Sequence, residues 1–391
     1  MKSDFITYQA QTSGQPLLLE IKKAKGSYVY DIDNKKYLDF IAGVSANTLG
    51  HQPEAVVKAI KKQLDKYMHV MVYGEFVQEP QVGLAKIIAQ HLPDALNCTY
   101  ITNSGTEATE GAIKLAKRVS GRFEIIAAKN AYHGNTQGAM SVCGNEEQNS
   151  AFRPLIPGVS FIEFNNEKDI LKINHNTAGV ILETIQGGAG FIEPKNNYLK
   201  KVLDRCNEVG ALLILDEIQT GIGRTGSFFC FQQYGVIPHI LITGKGLAGG
   251  MPIGAFISSK ELMNQFSESP KLGHITTFGG HPVIAAAALA TLKTLFNSSL
   301  MKLTVKKEAL IRQLLVHEAI SEIRGKGLML ALIMKNTKLA DHLILEGIKK
   351  GILLFWLLYE PKAVRITPPL NISEKEIAEG CHLILQILNE A

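Results

Sequence analysis

A chain of 391 residues has the length of about two or three folding units around a large buried core, which excludes a minimal binding module. With 46% hydrophobic and 20% charged residues, its composition is that of a globular enzyme, since disordered chains carry fewer apolar residues and more net charge. The 41 basic and 36 acidic residues leave +5, scattered over pairs such as Lys22-Lys23 and Lys349-Lys350, so no nucleic-acid-binding stripe is expected, only a weak field favouring small anions.

In chain order, Tyr28 to Asp31 and Lys36 to Phe40, separated by Asp33-Asn34, predict a hairpin that packs with the C-terminal part. Pro53 opens a predicted helix towards Tyr67, with Val56, Val57, Ile60 and Leu64 at helical spacing. Strands are predicted at Thr99 to Thr102, Glu124 to Ala128, Ala178 to Thr184, Ala211 to Leu215, His239 to Thr243 and Gly254 to Ile257. Between them, Ser104-x-x-Glu107 matches a capping box ahead of Ile113, Leu115 and Ala116, and a further helix is predicted from Tyr198 to Val209. This alternation indicates an α/β fold with a mostly parallel central sheet. After Pro282 an alanine-rich helix reaches the polar junction Asn297-Ser298-Ser299, where the texture changes to short strands and helices. The expected organisation is residues 1–50 joining a smaller α+β domain, a large domain over 51–296, and the rest of the small domain over 297–391.

Five cysteines, widely spaced and without a C-x-x-C pair, read as buried thiols in a reducing compartment. The start, Met1 to Phe5, lacks the apolar segment of a secretory leader, and the run Ile352 to Leu358 falls far short of the roughly 20 residues that span a bilayer. A cytoplasmic protein without a membrane partner is the expectation.

In open parallel sheets ligands bind beyond the carboxyl ends of the strands, and three strand ends stand out. Asn103-Ser104-Gly105-Thr106-Glu107 follows one strand and opens a helix, so free N–H groups and a hydroxyl face an incoming anion; an ordinary capped helix explains the same residues. Leu213-Ile214-Leu215-Asp216-Glu217 ends a buried strand in acids, which need a cation or serve to cap a turn. Lys245 leaves an apolar strand between Gly244 and Gly246; it is either a surface lysine or an amine whose pKa desolvation lowers enough for Schiff-base chemistry.

Rival motifs fail. Gly221-x-Gly223-x-x-Gly226 does not directly follow the strand, and no acid occurs from Ile218 through Lys260 to hold a ribose. Gly244-Lys245-Gly246 lacks the first glycine and the Ser or Thr of a P-loop. The histidines, including His51, His133, His274 and His281, lack metal-ligand spacing and read as packing or capping residues, and no G-x-S-x-G elbow occurs. Taken together, an anion cradle, a buried acid and an activated amine suit pyridoxal phosphate, with its phosphate, ring nitrogen and aldehyde.

At this point the chain resembles the class III aminotransferases of the acetylornithine, ornithine and 4-aminobutyrate group, which have the fold-type-I architecture. The resemblance runs from Lys25-Gly26-Ser27-Tyr28 through Asn103-Ser104-Gly105-Thr106-Glu107-Ala108, Ala131-Tyr132-His133-Gly134, Leu182-Glu183-Thr184-Ile185-Gln186-Gly187, Asp216-Glu217-Ile218-Gln219-Thr220-Gly221 and Thr276-Thr277-Phe278-Gly279-Gly280 to Val364-Arg365-Ile366-Thr367-Pro368-Pro369-Leu370. It implies pyridoxal 5'-phosphate as cofactor, with Lys245 condensing with the aldehyde, Asp216 pairing with the ring nitrogen and Gln219 touching the ring hydroxyl. Tyr132 is implied on the cofactor face, Ser104, Gly105 and Thr106 at the phosphate, and His133 and Glu183 as further contacts. Thr277 is implied to reach the phosphate from the other subunit of a homodimer. The implied substrates are a small amine or amino acid and a 2-oxo acid, 2-oxoglutarate or pyruvate in the family pattern, with ping-pong kinetics and no metal.

Two departures bear on substrate choice. Asn135 follows His133-Gly134 where many members of the group have an arginine, and Gln186-Gly187-Gly188 stands where Gln-Gly-Glu is frequent, so Arg365 lacks the glutamate that often pairs with it. Arg365 is therefore expected to anchor carboxylates in both half-reactions, and the donor to be an ω-amine or an amino acid bound differently from acetylornithine. Tyr73 and Trp356 are candidates for shaping the pocket, with core packing as their other reading. A lyase or aminomutase using the same cofactor is the alternative enzyme, and a non-catalytic binding protein the alternative outside enzymes.

Overall fold

Three sheets organise the chain in a computed structural model that describes residues 1–391. The first begins as an antiparallel meander of β1 (Ile21–Lys25), β2 (Tyr28–Asp31) and β3 (Lys36–Asp39), with Tyr28 opposite Leu38 and Tyr30 opposite Lys36. Asp31 shapes its second turn: one carboxylate oxygen accepts from the N–H groups of Asp33 and Lys35, and the other from the Tyr37 hydroxyl at 2.7 Å.

The central sheet contains β4 (Cys98–Thr102), β5 (Glu124–Ala128), β6 (Val159–Ile162), β7 (Thr177–Glu183), β8 (Leu212–Asp216), β9 (Ile240–Gly244) and β10 (Gly254–Ser258), in the order β4-β10-β9-β8-β7-β5-β6. All run parallel except β10, which is antiparallel to both neighbours. Positions in β7, β8 and β9 are buried throughout, because helices cover both faces and leave no polar side to alternate with. The helix Gly105–Ser120 covers one face, packing Ala108, Ala112, Leu115 and Ala116 with Ile125, Ile181 and Ile214. On the other, Tyr198–Val209 contributes Tyr198, Leu199, Val202 and Cys206 to a cluster with Val180, Leu182, Leu213 and Leu215. The Pro53 helix spans Glu54–Leu64, three residues short of Tyr67, and the alanine-rich Pro282–Phe296 packs on it and on Glu79–Ala89. No single helix is long and apolar enough to cross a membrane.

Near the C-terminus lie β11 (Ile320–Lys326), β12 (Met329–Met334), β13 (Ile352–Leu353), β14 (Phe355–Trp356) and β15 (Ala363–Ile366). Four of them form an antiparallel sheet in the order β11-β12-β15-β14, while β13 joins the first sheet, parallel to β3. Leu38 donates to the Gly351 carbonyl and Phe40 to that of Leu353, so the two ends of the chain are joined by backbone hydrogen bonds. The final helix, Glu374–Asn389, sets Gly380 against the fully buried Phe40 ring.

A Cβ at Gly380 would lie 2.3 Å from Phe40 Cζ. Helix propensity favours alanine over glycine by up to about 1 kcal/mol, but forcing a methyl into a packed core costs about 1–3 kcal/mol. Gly380→Ala is therefore expected to lower the urea midpoint, and Phe40→Leu in the same chain to recover part of the loss. A Gly380→Ala midpoint at or above wild type would show that the two ends are not packed in this way.

Candidate active site

The carboxyl ends of β4, β7, β8 and β9 open on a cavity of about 710 Å³. Ser104, Gly105, Thr106, Tyr132, His133, Asn135, Glu183, Asp216, Gln219, Lys245, Trp356 and Arg365 all line it. Tyr73 and Thr277 do not: Tyr73 lies in the surface connection before Glu79–Ala89, and Thr277 is exposed in the loop that precedes Pro282–Phe296.

Ser104 caps the helix at the cavity floor, its Oγ accepting from Glu107 N at 3.3 Å. The expected capping box is not closed, because the Glu107 carboxylate turns instead to Asn103, accepting from its backbone N–H at 2.7 Å and from its side-chain amide. The first-turn N–H groups of Gly105 and Thr106 have no acceptor within the helix, and they border the cavity. Gly105 has to lack a side chain here, since a Cβ would sit 2.6 Å from Ile218 Cδ1. Thr106 Oγ1 is engaged with the Thr136 hydroxyl at 2.7 Å and accepts from its N–H at 3.1 Å, which fixes the loop after Asn135.

Neighbouring strand ends bring two carboxylates together, Glu183 on β7 opposite Asp216 on β8. His133 Nδ1 lies 2.7 Å from Asp216 Oδ2, and Ile218 N donates to Oδ1 at 2.9 Å. The ring of His133 is buried and its Nε2 has no partner in the protein, so its position is set by Asp216. Glu183 accepts from the N–H groups of Gly187 and Tyr132, at 2.9 and 3.3 Å. Burial, with the Asp216 charge beside it, lifts its carboxyl to about 7, although His133 pulls the other way.

Lys245 follows β9 with φ at 40°, a left-handed conformation uncommon for a side-chain-bearing residue. The turn lets Gly246 pass close to Thr48 while Lys245 Nζ points into the cavity, 3.5 Å from Gln219 Oε1. Gln219 is itself tied to Ser45 Oγ at 3.4 Å. Desolvation and the Arg365 charge lower the Lys245 amine from 10.5 to about 8, while Asp216 and Glu183 oppose the shift. Arg365, on β15, is nearly buried; its Nε and Nη1 lack partners, and burial brings the guanidinium down to about 10.

The opposite wall is apolar and was mostly hidden in the sequence. Phe355, Trp356 and Leu358 form one side of it. Val44 and Ala46 form another, carried by a turn in which Ala42, Gly43, Val44 and Ser45 all have φ between 49° and 69°. Such a conformation is unfavourable for a β-branched residue, and only Gly43 in Ala42-Gly43-Val44-Ser45 hints at it. Gly188 lies under Tyr359, whose Cδ2 would be 2.8 Å from a Cβ at 188.

Comparison with known proteins gives a consistent result. The family model described as Aminotransferase class-III matches residues 8–388. An acetylornithine aminotransferase of Bacillus subtilis is 38% identical over 376 residues, covering 95% of each chain. That of Caldanaerobacter subterraneus is 36% identical over 380 residues, covering 94% of each. An ornithine aminotransferase structure from Toxoplasma gondii, with partial occupancy of PLP at its active site, superimposes with a TM-score of 0.91 at 28% identity, over 100% of this chain and 94% of that one.

Condensation with an aldehyde requires a neutral amine. The rate at which borohydride traps an aromatic aldehyde on Lys245 of the cofactor-free protein is therefore expected to rise with pH and reach half its plateau at about 8, where an ordinary lysine would do so near 10.5. Replacing Arg365 by Met removes a charge that favours the neutral form, and should move that midpoint upward. Peptide mapping over a pH series measures both, and a wild-type midpoint near 10.5 would contradict the desolvated amine.

Proposed function

Because the chain belongs to the class-III aminotransferases, and so moves an amino group to a 2-oxo acid with pyridoxal 5'-phosphate, we propose that its donor is an ω-amine or ω-amino acid of the ornithine, acetylornithine or 4-aminobutyrate kind. The observation that carries the site assignment is Lys245, whose Nζ lies 3.5 Å from Gln219 Oε1 in the cavity that Asp216 and His133 also line, where desolvation brings the amine down to about 8.

The residues fit this cofactor. Open N–H groups at a helix start suit its phosphate, the Asp216 carboxylate has lone pairs left for a ring N–H, and Gln219 offers an amide to the ring hydroxyl. When bound, pyridoxal phosphate supplies an aldehyde that exchanges amines and a ring that takes up the electron pair left on the substrate carbon. Asp216 would favour the protonated form of its ring nitrogen. Lys245 Nζ is the group that would hold the aldehyde until a donor amine replaces it, and, once free and neutral, would carry the proton taken from the donor carbon. Tyr132 is assigned to the ring face, with Glu183 bracing it through the Tyr132 N–H. Arg365 takes the carboxylate of whichever substrate is bound, so the donor's carbonyl product leaves before the oxo acid enters and the kinetics are ping-pong.

The functional unit is assigned as a homodimer. Two segments carry exposed apolar side chains, Met68, Val70, Met71, Phe76 and Val77 in one and Leu272, Ile275 and Phe278 in the other, and they meet at His69, whose ring is 4.9 Å from that of Phe278. An apolar patch of this kind is suited to burial against a second copy. Covering it would present Thr277, and Tyr73 from the adjoining segment, to the partner's cavity. The five unpaired thiols, four of them buried, suit a reducing cytoplasm.

Trans contribution of Thr277 has a distinctive signature. Lys245→Ala and Thr277→Asp are each expected to lower transamination at least a hundredfold. Co-expressed, they should form mixed dimers with one intact site, giving about a quarter of wild-type activity per subunit at random pairing. Absence of recovery would place Thr277 at its own subunit's site. The same assay with and without the oxo acid tests the reaction, because turnover without an oxo acid belongs to a lyase.

A further inference from the structure

A single guanidinium serves the cavity, and we infer that the acceptor is a monocarboxylic 2-oxo acid with an apolar side chain, not a dicarboxylic one. The inference rests on the transaminase reading and narrows its acceptor. Lys245 and Arg365 are the cavity's only lysine or arginine residues, and Lys245 is reserved for the chemistry. His133 is held by Asp216. Arg365 makes no ion pair with any acid of its own chain, and its Nε and Nη1 are buried without acceptors. It is open to one substrate carboxylate, which a guanidinium binds through paired N–H groups.

A second carboxylate would find no equivalent partner. β14 runs beside β15 so that Phe355 is opposite Arg365, which sets an aromatic ring next to the carboxylate anchor, with Trp356 opposite Val364. The indole has one donor, and Trp356 Nε1 already gives it to Asp341 Oδ1 at 2.8 Å. Trp356 therefore has no free side-chain donor to offer a second carboxylate. Leu358 and Val44 extend the apolar surface. Position 188 contributes no donor side chain, since the Tyr359 ring occupies the space of its Cβ, and Asn135 supplies a neutral amide. A carboxylate transferred from water to these surroundings loses hydration without gaining a cation. An apolar side chain there gains burial instead.

The test uses the holoenzyme. A donor amine converts it to its aminated form, free donor is removed, and return of the aldehyde form is followed by absorbance with pyruvate, phenylpyruvate, 2-oxoglutarate or oxaloacetate. The second-order rate constant for the better monocarboxylic acid is expected to exceed that for either dicarboxylic acid tenfold or more. Asn135→Arg should reduce that ratio by supplying the missing cation. A wild-type ratio below tenfold overturns the inference, including the case in which a second subunit completes the site with a cation. Failure of every donor to aminate the holoenzyme, or of every oxo acid to restore it, overturns the transaminase reading itself and this inference with it.

Discussion

The site depends on a carboxylate held away from water at the end of β8. Asp216 is 5% exposed, and an ionised group so placed requires compensation from its surroundings. His133 supplies one contact from the loop after β5, and the backbone N–H of Ile218 supplies another. Both contacts constrain neighbouring functional groups: His133 fixes the position of Tyr132 before it, and Ile218 closes over Gly105 at the helix start. Correct burial of one acid thus sets the ring face, the anion cradle and the carboxylate in a common frame. Such fixed polar groups need little reorganisation when a reacting molecule arrives.

Charge is distributed unevenly around that frame. The floor of the cavity collects the helix N-terminus, two acids and an amine, whereas the wall from Phe355 to Leu358 is apolar and has Arg365 at its edge. Arg365 and Lys245 repel one another, and each is left with less hydration than it would have in water. This arrangement is unfavourable for folding and suited to binding, because an incoming carboxylate would restore what burial removed from the guanidinium. The left-handed turn at Ala42–Ser45 is another local cost located at the cavity, one that sets Val44 in its wall and Ser45 beside Gln219.

Much of this was legible because buried parallel strands have a simple sequence signature. Continuous apolar runs located β7, β8 and β9 to within a residue or two, and the charged residues at their ends, Glu183, Asp216 and Lys245, all line the cavity. The four-residue edge strand β6 was missed because its single sheet neighbour imposes little pattern. Strand direction is likewise absent from local composition, so nothing in Gly254–Ser258 announced that β10 runs against its neighbours. The resemblance implied Thr277 at the phosphate, and Tyr73 was a candidate for shaping the pocket, but neither lines the cavity of its own chain. Val44 escaped because its role comes from backbone dihedrals that its residue type disfavours. Glu107 left the expected capping box for the neighbouring Asn103 N–H, a choice between adjacent donors that a four-residue motif does not encode.

Adjacent acids show why residue type alone underdetermines function. Asp216 and Glu217 are consecutive, and extended backbone directs consecutive side chains to opposite sides. Asp216 enters the cavity, while Glu217 is fully buried outside it and accepts from the Thr184 and Thr220 hydroxyls and the N–H groups of Cys230 and Phe231. Burial lifts its carboxyl to about 7 even though all four contacts favour the charged form. Those contacts join the end of β7, the turn carrying Gln219 and the short helix at Cys230–Gln233. Glu217 thereby makes rigid the loop from which Asp216 and Gln219 act, and with such a brace immediately behind it the smaller acid can be aimed without moving. The division of labour follows from one peptide bond's change of direction, with chemistry on one side of the strand end and support on the other.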